Sequence, residues 1–309
     1  MSAVISSPFR LAMGRFLRHR LAVVSGVLLV VLTLLALLAP LIEAALGLDA
    51  NAVNLFTRNQ PPSSQHMLGT DELGRDLLLR LLYGGRVSLL VGIVGAGIAA
   101  IIGTLVGLVA GYLGGRFDTL LMRFTDGMIA LPLLPLLIVL AAVDLDKLGL
   151  PVALTQSEAV SLYRIIAIVA LFGWTTVARL VRGATLSIKE REFVMAARAL
   201  GGGPVWIMAL HVLPNVMSPI IIATTLSVGN IILLESVLSF LGLGIQPPLP
   251  SWGNMLSNAQ ELIWTAPALA FFPGIFIFVT VIAFNFLGDS LQDALDPRAN
   301  INVQRAAAR

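Results

Sequence analysis

The chain has 309 residues, of which 57% are apolar and only 12% are charged. A soluble domain carries about 25% charged residues, and a soluble protein of this length lacks the core volume to bury so many apolar side chains. The composition therefore excludes a soluble enzyme and a disordered chain, and it predicts a membrane protein. The sequence contains no cysteine, which excludes disulfides and thiolate chemistry, and its net charge of +3 does not indicate nucleic-acid binding.

The first apolar run, residues 21–42, has no charged residue and follows a basic segment, residues 1–20. Its 22 residues are enough to cross a hydrocarbon core, which is about 30 Å thick. A cleaved signal peptide is the alternative, but the apolar region of such a peptide is shorter, about 7–15 residues. We therefore assign residues 21–43 to a first transmembrane helix.

The second run, residues 87–115, is rich in glycine, and several of its glycines are three or four residues apart. These glycines are Gly92, Gly95, Gly97, Gly103, Gly107 and Gly111. Small residues at this spacing let membrane helices approach closely, so this helix is expected inside a bundle. The third run, residues 127–143, is short and contains Pro132 and Pro135, which predict a kink.

Three further runs complete the chain: residues 165–178, residues 216–243 and residues 262–288. The pattern predicts an all-α membrane protein with six transmembrane helices, the last five forming a core over residues 87–290. Orientation follows from Lys and Arg, which are enriched on the cytoplasmic side. A cytoplasmic N-terminus places 14 of the 20 cations inside, so both tails, residues 1–20 and 291–309, are predicted to be cytoplasmic.

The outer segment, residues 44–86, contains apolar residues at helical spacing between Asp71 and Tyr83. This spacing predicts a short helix on the membrane surface with Thr70 as its N-cap. The outer loop of residues 244–260 contains three prolines and is expected to be ordered. Asp71, Glu72 and Trp252 are the candidate residues of an outer docking rim.

The inner loop, residues 183–215, is the most informative segment. Phe193, Ala196, Ala197 and Leu200 fall on one helical face, and the glycines 201–203 end that helix. A second helix is predicted over residues 205–213, with Pro214 at its end. The alternatives are a docking surface for another protein, which the two alanines would allow to come close, and an ordinary amphipathic loop packed under its own bundle.

This loop resembles the signature of ABC-importer permeases, which has two alanines, a glycine four residues later and a closing Leu-Pro. Ala196, Ala197, Gly201, Leu213 and Pro214 match that signature. The glutamate that usually precedes the alanines is Met195 here, and Glu192 lies three residues earlier. The resemblance implies that the loop is a coupling helix, which docks on a separate ATPase.

Other segments are similar to the dipeptide/oligopeptide permease family, in its C-type subunit. These segments are HMLGTDELGRD at 66–76, LSFLGLG at 238–244, SWG at 251–253 and LGDSLQDALDPR at 287–298. The resemblance implies a type I ABC-importer permease fold in a bacterial inner membrane. It also implies a second, B-type permease, two ATPase subunits that bind ATP and Mg²⁺, and an extracytoplasmic solute-binding protein.

The substrate implied by the resemblance is a peptide, with nickel, glutathione-like or sugar-derived solutes as alternatives. An ion-coupled secondary transporter is a further alternative, although no internal repeat supports it. An intramembrane enzyme is disfavoured because no histidine lies within a span. The phosphate-binding pattern GxxxxGK[ST] is absent, so neither catalysis nor a cofactor is expected in this subunit.

Two acidic residues lie near or within the apolar runs. For Glu235 the functional interpretation is that it lines or gates the pathway, and the alternative is a hydrogen bond that fixes neighbouring helices. Asp126 is expected to pair with Arg123, three residues earlier. The three histidines have no spacing that indicates a metal site.

Overall fold

The computed structural model describes residue 14 and residues 16–17, 19–143, 157 and 159–295. Most of the predicted N-terminal tail, and the predicted C-terminal tail beyond residue 295, lie outside the described residues. Within them the chain is helical and forms no β-strand. The helices are α1 (Arg20–Leu37), α2 (Ala39–Leu46), α3 (Leu77–Leu113), α4 (Gly115–Ala130), α5 (Leu133–Ala141), α6 (Val160–Ile188), α7 (Glu192–Ala199), α8 (Pro204–Phe240), α9 (Ala259–Leu262) and α10 (Ala268–Leu295).

Helices α1, α3, α6, α8 and α10 are long and apolar enough to cross a membrane. Helices α4 and α5 together pass the same test, but they are bent by 83° at Leu131 and Pro132. Counted as one broken span, this pair gives the predicted six spans. The kink predicted in the third apolar run is confirmed, and it lies at Pro132.

The closest helix pair is α3 with α6, because glycines of α3 lie against the backbone of α6. A Cβ atom built on Gly103 would be 2.5 Å from the carbonyl oxygen of Trp174, and one built on Gly107 would be 2.6 Å from that of Ala178. A real side chain would force the helices apart. The prediction that this glycine-rich helix packs inside a bundle is confirmed.

The bundle has two ends. The cap end contains residues 43–76 and the loop of residues 241–258, and the loop end contains α7 and residues 200–203. Helices α3 and α6 run from the cap end to the loop end, and α8 returns to the cap end.

The predicted surface helix over residues 71–83 is wrong. Gly74 has a φ of +74° and turns the chain, and α3 begins only at Leu77, with Asp76 as its N-cap accepting from the Leu79 amide at 2.9 Å. Thr70 caps no helix, since its hydroxyl donates to the carbonyl of Thr57. Leu77, Leu81 and Leu82 are instead the buried start of a transmembrane span, and Leu73 is exposed in the turn before it. The five-helix core therefore begins at 77 rather than 87.

The second helix of the predicted loop also differs from expectation, because it does not end at Pro214. Residues Met208–Val212 form a π-helical turn in which the Leu213 amide donates to the Met208 carbonyl, five residues back. Pro214 then occupies the first turn of the following α-helical stretch, where a missing N–H is tolerated. Loop and membrane span are therefore one continuous helix, α8.

Candidate functional sites at the two ends of the bundle

At the loop end, α7 ends in a Schellman motif built on Gly201. The Gly202 amide donates to the carbonyl of Ala197, and the Gly201 amide donates to that of Arg198, both at 3.0 Å. Gly201 has a φ of +85°, which an L-side chain rarely adopts. The predicted end of the helix at Gly201 is confirmed, and the sharp turn follows from the conformational freedom of this glycine.

One side of α7 is packed against the bundle. Val194 and Ala197 are buried in a cluster with residues of α3, α6 and α8. The Arg198 guanidinium lies 5.5 Å from the ring centroid of Tyr112, and Lys189 Nζ donates to the carbonyl of Gly111 at 3.0 Å. The Arg198 contact attaches the short helix to the end of α3, and the Lys189 bond joins the ends of α3 and α6.

The other side of α7 forms an open, apolar groove of about 510 Å³. We call it the loop groove. It is lined by Phe193, Ala196, Ala197, Leu200, residues 201–203, Trp206 and His211. Leu200 is 88% exposed and Phe193 is 44% exposed. An exposed leucine beside exposed aromatic rings is a typical protein-contact surface.

The structure brings together only part of the predicted coupling set. Ala196, Ala197 and Gly201 line the loop groove, but Ala197 is only 6% exposed because it packs under its own bundle. Glu192 is exposed in the first turn of α7, where a negative charge is favourable. Leu213 and Pro214 lie away from the groove, on α8.

Sequence reasoning missed Trp206 as a member of this groove. The Trp206 ring contacts the His211 ring edge-on, with 4.8 Å between centroids. The available signal was an aromatic residue in the first helical turn after Gly-Gly-Gly-Pro. A sharp turn at these glycines brings the start of the second helix close to α7.

At the cap end, Asp71 organises a turn instead of a docking rim. Its carboxylate accepts from the amides of Leu73 and Arg75 at 2.9 Å and from the Arg75 side chain at 2.7 Å. The Arg80 Nε atom is 3.4 Å away, and Asp71 is buried. The prediction of an accessible Asp71 is wrong, because this residue satisfies its own turn.

Glu72 is half-buried, and its two carboxylate oxygens accept hydrogen bonds from Asn258 Nδ2 at 3.0 and 2.9 Å. This contact joins the segment before α3 to the loop before α9. In the same segment His66 Nδ1 lies 2.9 Å from Asp76 Oδ2, which supports the cap of α3. Among the described residues no cluster of three or more His, Asp or Glu side chains could hold a metal ion.

Trp252 is the second rim candidate that the structure corrects. It is 2% exposed, it packs on Phe276, and its Nε1 donates to the Leu81 carbonyl at 2.9 Å. A Cβ atom on Gly85 would be 2.7 Å from the indole ring, so glycine at this position makes room for it. Trp252 is a core residue of the cap and offers no surface to a partner.

Glu235 lies beneath Trp252 and is fully buried. Ser239 Oγ donates to one of its oxygens at 2.7 Å and Ser88 Oγ to the other at 3.2 Å, while the Trp252 amide donates to Ser88 Oγ. This network joins α3, α8 and the loop of residues 241–258. The geometry corresponds to the interhelical alternative for Glu235.

The expected pairing of Asp126 with Arg123 is replaced by a pairing between helices. Arg179 Nη2 lies 2.5 Å from Asp126 Oδ1, and Arg182 binds both oxygens of Asp118 at 2.5 and 2.7 Å. Both pairs join α4 to α6.

Comparison with known families agrees with this architecture. Residues 103–301 match the family described as the inner membrane component of binding-protein-dependent transport systems. Residues 7–62 match the N-terminal transmembrane domain of oligopeptide transport permease C. The chain belongs to this permease family. It is therefore an inner-membrane permease component of an ABC importer.

Individual relatives cover nearly the whole permease. A dipeptide transport system permease protein of Alkalihalophilus pseudofirmus is 40% identical over 292 residues, which are 94% of this chain and 90% of that protein. An oligopeptide transport system permease protein of Bacillus subtilis is 38% identical over an alignment that covers 93% of this chain and 88% of that protein. A glutathione transport system permease protein of Pectobacterium atrosepticum is 39% identical, with coverage of 95% and 92%.

Proposed function

We propose that this permease forms half of a translocation pathway for peptides and that it works with a second, B-type permease. Two of the three relatives described above are named for dipeptide or oligopeptide transport. The third is named for glutathione, itself a short peptide-like solute. We take peptides as the substrate class because this chemistry is shared by all three names.

Energy for transport comes, in this proposal, from two partner ATPase subunits that bind ATP and Mg²⁺. The permease itself is non-catalytic and carries no cofactor. The observation that supports the proposal best is the loop groove, an exposed apolar surface on a short helix that is packed against the membrane spans behind it. Motion of an ATPase seated there would be passed to α6 and α8, which flank α7 in the chain.

This assignment also gives the proposed orientation. An ATPase that uses cellular ATP places the loop end in the cytoplasm, and with six spans both termini then lie on the same side. The solute-binding protein would meet the exposed surface of the cap end, not the buried Asp71 or Trp252. The excess of Lys and Arg at the loop end supports the same orientation.

The test is Leu200→Asp in the complete transporter, with Leu200→Met as the matched control. Seating one leucine side chain contributes roughly 1.5–3 kcal/mol, which corresponds to about 10–100-fold in affinity. We expect Leu200→Asp to lower co-purification of the ATPase at least tenfold at unchanged membrane levels, and Leu200→Met to retain it. Normal ATPase binding by Leu200→Asp would show that this groove is not the seat.

A further inference from the structure

A cavity of about 450 Å³ lies where the broken span α4–α5 meets α6 and α8. We call it the mid-span cavity. Asn230, one of its lining residues, is ten residues from the end of α8 at Phe240. At 1.5 Å per residue this is about 15 Å, half the thickness of a hydrocarbon core. The cavity therefore extends from the middle of the membrane, at Asn230, toward the loop end, where Thr176 lies three residues from Arg179.

Two polar side chains in this cavity have no partner among the described residues. Asn230 and Thr176 are both exposed in the isolated chain, and neither makes a side-chain hydrogen bond within the described parts. Thr225, on the same helix as Asn230, donates to the carbonyl of Ile221 at 2.9 Å. Polar groups facing lipid without a partner are costly, so the surface that carries Asn230 and Thr176 faces a polar occupant.

The break between α4 and α5 adds main-chain acceptors to the same cavity. In the described chain, the carbonyl oxygens of residues 127–130 accept no backbone hydrogen bond, because the helix stops at Leu131 and Pro132. Met128, Ile129 and Leu131 line the cavity. Non-helical backbone at membrane depth is tolerated only where it is buried in protein or lines a polar cavity.

The chemistry of the wall limits what can bind. Its polar groups are hydroxyls and one amide, its remaining side chains are apolar, and no lining residue is charged. Such a surface pairs with amide groups without selecting a charge, and its apolar area accommodates side chains of varied shape. An extended peptide main chain presents donors and acceptors of this kind.

We propose that the mid-span cavity is the part of the solute pathway contributed by this chain, where Asn230, Thr176 and the carbonyl oxygens of Met128 and Ile129 bind the main-chain amides of a passing peptide. The inference rests on the proposed function and adds a place and a recognition chemistry to it. The second permease would close the open side.

The first experiment uses the absence of cysteine from the chain. Asn230→Cys and Thr176→Cys are made singly, with Thr225→Cys as the matched control, in a complete transporter whose partners are also free of cysteine. Thr225 lies about 140° around the axis of α8 from Asn230. The probe is a cationic, membrane-impermeant methanethiosulfonate, which reacts with thiolates in contact with water.

We expect the first two thiols to react at least tenfold faster than the thiol at 225, and trialanine delivered by the binding protein to slow their reaction. Equal, slow labelling at all three positions would overturn the assignment of a water-accessible pathway. Labelling that trialanine does not slow would overturn peptide binding at this place.

The second experiment measures uptake. In proteoliposomes, Asn230→Leu and Thr176→Val should each lower uptake of labelled trialanine at least fivefold, while ATPase co-purification stays normal and Thr225→Val transports at the wild-type rate. Unchanged uptake by Asn230→Leu, with an active wild type, would refute the further inference alone. A wild-type transporter that takes up no peptide would instead refute the proposed function, and the labelling rates would still decide whether the cavity is a pathway.

Discussion

The two ends of the bundle use similar residue types in opposite ways. At the cap end, Asp71, Glu235 and Trp252 are buried, and their polar groups are satisfied within the chain. At the loop end, the apolar side chains of Phe193, Leu200 and Trp206 are left exposed around the turn between α7 and α8. The difference teaches that a conspicuous residue is available to a partner only where its own chain leaves it uncovered.

The largest expected effect tests whether Trp252 is structural. Trp252→Ala should lower stability by about 3–5 kcal/mol, because it removes a fully packed indole and its hydrogen bond to the Leu81 carbonyl. Trp264→Ala is the matched control, since this tryptophan is 90% exposed at the same end. Thermal unfolding in detergent should separate the two variants. Equal unfolding temperatures would contradict the assignment of Trp252 to the core.

A smaller effect is expected from the carboxylates of the cap. Asp71→Asn should cost about 1.5–3 kcal/mol, because the carboxylate accepts charge-assisted bonds from Arg75 in addition to two backbone amides. Glu72→Gln should cost less than 1 kcal/mol, since its contact is with the exposed Asn258. Thermal unfolding and binding-protein docking are measured on both. If Asp71→Asn lost binding-protein docking while its stability stayed unchanged, Asp71 would be a docking residue and not a structural one.

The smallest expected loss of stability concerns the loop end, where the main effect should be on ATP hydrolysis. Gly201→Val forces a β-branched residue to a φ of +85° and should cost about 1–2 kcal/mol locally. Gly201→Asn is the control, because asparagine occupies the same position and tolerates a positive φ. Peptide-stimulated ATP hydrolysis should fall severalfold in Gly201→Val alone, at equal membrane levels. Equal activities would mean that the turn does not set the position of α7.

The sequence predicted the helical class, the six spans and the end of α7, because these features depend on local composition and on one glycine. It did not predict the role of Trp252 or the partners of Glu235, because these partners are distant in sequence. Asp71 differs, since its partners Leu73 and Arg75 are within four residues and the turn at Gly74 brings them to it. Trp252 binds the carbonyl of Leu81, 171 residues away, and Glu235 binds Ser88, 147 residues away. A single sequence contains no signal for such pairs.

The misplaced start of α3 has a different cause. Apolar residues at helical spacing run through residues 73–82, and the pattern alone does not separate a surface helix from the first turns of a span. Gly74 was the overlooked signal. A Cβ atom on it would be 1.8 Å from the Asn54 carbonyl oxygen, so this position needs glycine for a tight turn.

The glycine contacts between α3 and α6 determine which parts of the permease are free to move. A screw motion of α3 by one residue, about 1.5 Å along its axis and 100° around it, would bring Thr104 and Leu108 to the positions where Gly103 and Gly107 meet the α6 backbone. We therefore expect α3 and α6 to move as one rigid unit that spans the membrane. Any conformational change of the permease would then occur at the bend between α4 and α5 and along α8.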